Sequence, residues 1–188
     1  MTVIVKFGGL DVALRNDNSC FLGLTLQDGI FEERACVLFP HIDAAKIKDA
    51  LLIIQRNERY HAIGYDRLGT GEMVNLFPKE IPLFPVVSSM PVKQDIIGLV
   101  RGLFFSDKLK IHTDSLMKEI MEQETYKSDA GNILYRHPAG FHDDRFWALG
   151  YACYIASSYI PGRPVYTASV APKPFNIESD IDNMLKHI

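Results

Sequence analysis

Two tight connections inside the first 40 residues limit what this chain can fold into more than any other feature. An apolar run at 3–10, rich in Val and Ile, suits a strand entering a core and delivers Asp11 near its end. Arg15–Asn18 is a polar turn, and 19–26 predicts a second strand. Asp28-Gly29 makes a tight turn, and 30–39 predicts a third strand that Pro40 ends. A parallel pair needs a crossover of about a dozen residues or more. Strands joined this closely must therefore run antiparallel.

After Ile42 the apolar period changes from two to that of a helix, with Ile47, Ala50, Leu51 and Ile54 on one face and Asp43 as its N-cap. A short strand at 60–65 follows and ends in Asp66, before the glycine-bearing stretch RLGTGEM. The spacing then predicts a strand at 84–88 and a helix over 92–105 with Ile96, Ile97, Val100, Leu103 and Phe104 inward. A short extended piece at 109–112 precedes a helix capped by Asp114 and running to Tyr126. The inner face of that helix is read as Leu116, Met117, Ile120 and Met121. The segment 127–140 is polar, with at most a strand at 133–136. Residues 143–159 form a helix apolar nearly all round, and so buried. Antiparallel strands followed by alternating strands and helices describe an α/β mixed sheet with helices packed on it. The domain is expected over residues 1–160, and 161–188 as a linker and a short amphipathic tail carrying Ile177, Ile181 and Leu185.

Composition narrows the function. The 188 residues suffice for one domain with a sizeable core, and 47% hydrophobic with 23% charged residues is a globular balance. Twenty Lys and Arg against 23 Asp and Glu leave a net charge of -3, which argues against coating nucleic acid through bulk charge. A local groove beside an acidic centre stays compatible with it. Cys20, Cys36 and Cys153 form no CxxC site and no disulfide framework. No signal segment or membrane-length apolar run is visible, so a cytosolic protein is expected. The GTG at 69–71 lacks the rest of a phosphate-loop or dinucleotide signature, and the histidines have no zinc spacing.

The acids carry the chemistry. Asp11 and Asp66 follow strands directly, and Asp143-Asp144 opens the buried helix. Carboxylates in such apolar places are costly unless paired or hydrogen-bonded. If the first and fourth strands are neighbours, both aspartates emerge at one sheet edge, where the final helix can deliver Asp144. Three carboxylates converging there suit a hard divalent cation with oxygen ligands. His142 beside them reads as a ligand, a general acid or a brace against a carboxylate.

The order GLD at 9–11, a strand ending in Asp66 before a glycine-rich turn, and HDDRFWALGYA at 142–152 resembles the C-terminal nuclease domain of the phage terminase large subunit. That family belongs to the RNase H-like group, and the resemblance spans residues 3–159. It implies Asp11, Asp66 and Asp144 as metal ligands, with Asp143 as a less favoured ligand and His142 as a neighbouring site residue. Asp17 matches a recurring aspartate of the family. Trp147 stands where the family often carries another acid. The terminase phosphate-loop signature is absent from this sequence.

The resemblance further implies an endonuclease, a phosphodiester hydrolase using two Mg²⁺ or Mn²⁺ ions to cut double-stranded DNA during viral genome packaging. It would work in the cytoplasm of the infected host cell, with a terminase ATPase domain, a small terminase subunit and a portal as partners and no membrane. Arg67, Lys127, Arg136 and Arg145 are candidates for holding the DNA backbone by charge. The same acids would serve a junction resolvase or an RNase H-type enzyme. A catalytically silent binding or scaffolding module is the alternative of a different class.

Overall fold

The computed structural model describes residues 3–12, 18–40, 44–127, 133–136 and 143–159. The predicted antiparallel pairing is present, while the turn expected at 15–18 lies outside the described residues up to Asp17, and Asn18 already belongs to the second strand. Strands β1 (Val5–Asp11), β2 (Asn18–Gln27) and β3 (Ile30–Pro40) pair antiparallel in sequence. Asp28 and Gly29, at φ of +51° and +77°, form the turn between β2 and β3. Positive φ at both central residues matches the right-handed twist of the flanking strands. Pro40 still pairs with Asn18, so β3 ends on that proline and not before it.

Helix α1 (Ala44–Glu58) buries Ile47 and Leu51, and its expected cap Asp43 lies outside the described residues. Strand β4 (Ala62–Asp66) then lies parallel to β1, and β5 (Leu83–Val86) lies parallel to β4. The stretch between them is not a simple glycine turn. It winds into a short helix α2 (Arg67–Thr70) and a 3₁₀ segment, Gly71–Leu76. Helix α3 (Met90–Phe105) leads to β6 (Leu109–Lys110), which pairs parallel with β3. Helix α4 (Asp114–Met121), a two-stranded sheet of β7 (Glu124–Lys127) and β8 (Ile133–Arg136), and helix α5 (Asp144–Ser158) complete the described chain. The main sheet runs β5-β4-β1-β2-β3-β6.

Two cores sandwich that sheet. Ile47 and Leu51 of α1, with Phe77 and Ile81, cover one face by packing on Leu10, Phe21 and Ile63. The other face carries α3, α4 and α5 against Phe7, Leu22, Leu24 and Ala62. Helix α5 is buried nearly all round, as its uniform apolarity predicts. It lies unusually close to the strands. A Cβ on Gly9 would collide with the carbonyl oxygen of Ala148, and one on Gly64 would sit 2.8 Å from that of Tyr151. Glycine at these two positions lets the helix backbone rest directly on β1 and β4.

Helix α4 departs from expectation. Met117 and Met121 are 38% and 56% exposed, so they are not core residues. The buried stripe is Leu116, Glu119, Ile120 and Gln123, a spacing of i, i+3, i+4, i+7 that includes two polar side chains. Thr113, not Asp114, is the N-cap residue, and the helix stops at Met121 because 124–127 pairs with 133–136. Residues 160–188, including the expected amphipathic tail, lie outside the described residues.

Candidate metal centre

The sheet's alternation decides where the strand-end acids point. Phe7 and Gly9 face α5, so Asp11, two positions further, shares that face. On β4, Ala62 and Gly64 face α5 in the same way, which puts Asp66 there too. Leu10 pairs with Tyr65 in parallel register, so the next positions, Asp11 and Asp66, emerge side by side at one end of the sheet.

Helix α5 delivers the third acid by the same geometry. Ala148 lies over Gly9. Asp144, one helical turn earlier, is displaced by about 6 Å along the helix, close to the 6–7 Å that two strand residues span. Asp144 is 7% exposed in the first turn of α5.

The electrostatics follow from this crowding. Burial, with Asp144, Asp143 and Asp66 adding like charge, pushes the Asp11 carboxyl from 3.8 up to about 8, and the Lys93 ammonium opposes the rise. The Tyr151 hydroxyl on the same face of α5 is also pushed up, first by burial and then by Asp11 and Asp66. Among the described residues no three His, Cys, Asp or Glu side chains stand close enough to form a ready-made cage for an ion. The acids share one neighbourhood without closing into a coordination shell. This is a half-buried, oxygen-only, mutually repelling donor set, and its chemistry fits a hard divalent cation.

Individual members are held differently. Asp66 Oδ1 accepts the backbone N–H of Leu68 at 2.8 Å, which starts the helical turn after β4 and fixes the carboxylate's direction. Asp143 Oδ2 accepts the indole N–H of Trp147 at 2.8 Å. His142 and Asp17 lie outside the described residues.

Three side chains important to this geometry escaped the sequence reading. Lys93, half-buried near the start of α3, places its Nζ 5.1 Å from the centre of the Trp147 ring. Trp147 joins Asp143, Lys93 and Tyr151 where the family often carries an acid. Glu119, 7% exposed on α4, accepts the Phe146 backbone N–H at 2.8 Å and pairs with Arg145 Nη1 at 2.8 Å. Burial pushes the Glu119 carboxyl up, while those two donors oppose the shift. It thereby clamps the first turn of α5, which carries Asp143 and Asp144. The signal was present as Glu119 lying on the i, i+3, i+4 stripe between Leu116 and Ile120. Arg145, a candidate for holding the DNA backbone, places its Nη1 in this clamp. Arg67 is exposed beside Asp66, and the side chains of Lys127 and Arg136 lie outside the described residues.

Comparison with known proteins places the fold among relatives. The family model described as the terminase RNase H-like domain matches residues 8–154. None of the curated proteins matches the chain. Among solved structures, the large terminase nuclease of the thermophilic phage G20c with bound magnesium is 20% identical at a TM-score of 0.68, over 80% of each chain. The large terminase nuclease domain of bacteriophage SPP1 with bound Mn is 13% identical at a TM-score of 0.57, over 79% of this chain and 84% of that one. The large terminase of bacteriophage HK97 is 13% identical at a TM-score of 0.64. There the match covers 80% of this chain but 39% of that one. The shared fold is the RNase H-like mixed sheet.

Proposed function

The chain belongs to the terminase RNase H-like domain family, and on that premise we propose that it is a divalent-metal-dependent endonuclease hydrolysing double-stranded DNA during viral genome packaging. One observation carries the reading. Asp11, Asp66 and the Asp143-Asp144 pair, from three separate elements, converge so closely that the other three all act on the Asp11 carboxyl. A stable fold tolerates such repulsion where a cation relieves it.

In this reading Asp11 stands between the other acids and would share two Mg²⁺ or Mn²⁺ ions, with Asp66 holding one and Asp144 the other. Asp143, engaged by the Trp147 indole, is the weaker ligand, and His142 joins the set as a neighbouring residue on the family resemblance. Bound cations would neutralise phosphate charge, make water a better nucleophile and stabilise the departing oxygen. The protein's own residues supply position. The strand ends fix Asp11 and Asp66, the α4–α5 clamp fixes Asp144, and the low exposure of the site keeps competing water away from the carboxylates. Relatives with bound magnesium, manganese, cobalt and zinc support a divalent ion in general.

The partners proposed with this function are double-stranded DNA, a terminase ATPase domain, a small terminase subunit and a portal, in the cytoplasm of the infected host cell. Among the described residues no helix is long and apolar enough to cross a membrane.

The test incubates the protein with supercoiled DNA, linear duplex, RNA–DNA hybrid and four-way junction in Mg²⁺, Mn²⁺ or EDTA. Cutting of duplex DNA in either metal, abolished by EDTA, is expected. A marked preference for the junction or the hybrid would move the assignment to a resolvase or RNase H-type enzyme. A folded protein that cuts nothing would be a silent binding module.

A further inference from the structure

Lys93 is a cation that a separate element, α3, brings beside the acids. It lies on the first turn of α3, its backbone N–H donating to the Ser89 carbonyl at 2.8 Å, and α3 packs on α5 through Ile96, Ile97 and Val100. That packing lays Lys93 against Trp147, with Nζ 5.1 Å from the ring centre. The indole is held on two further sides. Its N–H donates to Asp143 at 2.8 Å, and its face stacks on Tyr151 at 6.1 Å. A cation over an indole face is attracted to the ring, so the ammonium has a preferred seat next to the acids. It is half-buried and so remains reachable from solvent.

A duplex approaching four aspartates meets repulsion, and phosphates beside the one that is cut need their own counter-charge. A fixed protein cation at the rim supplies it. Arg145 already has its Nη1 engaged by Glu119. Lysine's compact ammonium, with three rotatable donors, suits a single phosphate oxygen. We infer that Lys93, seated on the Trp147 ring, contacts a DNA backbone phosphate beside the one that is cut. The inference rests on the nuclease reading above and deepens it by naming a substrate-holding residue on α3.

The experiment measures cleavage of a linear duplex in Mn²⁺ across a salt series, for wild type, K93M, K93R and the exposed-lysine control K110M. Calorimetry of Mn²⁺ binding to the DNA-free proteins accompanies it. Losing a charge-assisted hydrogen bond to phosphate should raise KM about tenfold or more in K93M, with kcat much less affected. The salt slope of KM should shrink by about 0.9, the signature of one lost phosphate contact. K93R should keep most of the wild-type KM, K110M all of it, and Mn²⁺ affinity should not fall in K93M. A K93M protein with unchanged KM and salt slope would overturn the inference, leaving Lys93 a counter-charge for the acids. So would a loss of Mn²⁺ binding that accounts for the lost cleavage. Wild-type protein inert in every metal would instead overturn the nuclease reading, and this inference with it.

Discussion

At the scale of single residues, Asp11 sets the balance between stability and chemistry. Its carboxyl ionises near pH 3.8 when unhindered and near pH 8 in the metal-free fold, chiefly through burial and then through its acidic neighbours. The folded state therefore holds a proton that the unfolded chain has released, and stability falls as pH rises between those values. The penalty is absent below about pH 4 and complete above about pH 8. Asp11→Asn keeps the shape and removes the charge. In EDTA, D11N should melt near the wild-type temperature at pH 4. At pH 9 it should melt higher by at least 2–4 °C, roughly what 1 kcal/mol gives in a chain of this size. The same variant should lose most metal-dependent cleavage, with D66N and D144N alike and D143N milder because Trp147 already engages that carboxylate. Equal melting of D11N and wild type at pH 9 would mean that neither burial nor the neighbouring acids burden the Asp11 carboxylate in solution. Full cleavage by folded D11N or D144N would remove these residues from the active site.

At the scale of elements, the junction of α4 with α5 couples the core to the site. Glu119 satisfies a backbone N–H at the start of α5 and neutralises Arg145, so one side chain does the work of a cap and of an ion-pair partner. Glu119→Ala leaves both donors behind in a poorly hydrated place, and about 3–5 kcal/mol of unfolding free energy should be lost in urea. Glu119→Gln retains an acceptor for Phe146 and should lose less, about 1–3 kcal/mol. Both should weaken Mn²⁺ binding by loosening the turn that carries Asp144. An E119A protein as stable as wild type would show that the clamp is not formed. This junction also marks where the sequence stops being readable. Hairpins and the long apolar helix announce themselves through turn residues and periods that act within a few positions. The α4 face does not, because Glu119 finds its partners 26 and 27 residues away. Apolarity alone selected Met117 and Met121 for the core, and spacing would have selected Glu119 and Gln123. The end of α4 was missed for a related reason. Thr125 and Tyr126 leave the helix to pair with residues 134 and 135, a contact that no local period records.

At the scale of the whole molecule, the acids were legible because a sheet converts chain order into position. Asp11 and Asp66 needed only two strand ends and a parallel register to meet, whereas Lys93 reaches the same place through a helix packed on another helix and leaves no pattern in the chain. The meeting point lies at one end of the sheet, where β1 and β4 finish and the buried helix α5 begins, so occupancy there should be felt by all three elements. A ligand that binds the folded chain and not the unfolded one stabilises it by RT ln(1 + [L]/Kd), about 2.7 kcal/mol at a hundredfold excess over Kd. Relief of repulsion around Asp11 is part of what makes that Kd low when the group is ionised. Mn²⁺ added to metal-free wild type at pH 8–9 should therefore raise the melting temperature by roughly 5–10 °C at such an excess, given about 2–4 °C per kcal/mol. EDTA should reverse the shift. The gain should shrink at pH 5, where Asp11 still holds its proton and the ion must displace it. D11N should show little of it at either pH, since its stabilisation is already built in and its best ligand is gone. Scanning calorimetry of the two proteins with and without Mn²⁺ makes the comparison. An equal Mn²⁺ shift in D11N and wild type would place the ion elsewhere on the molecule, and no shift in wild type would leave the acids at the end of the sheet without the cation that their crowding calls for.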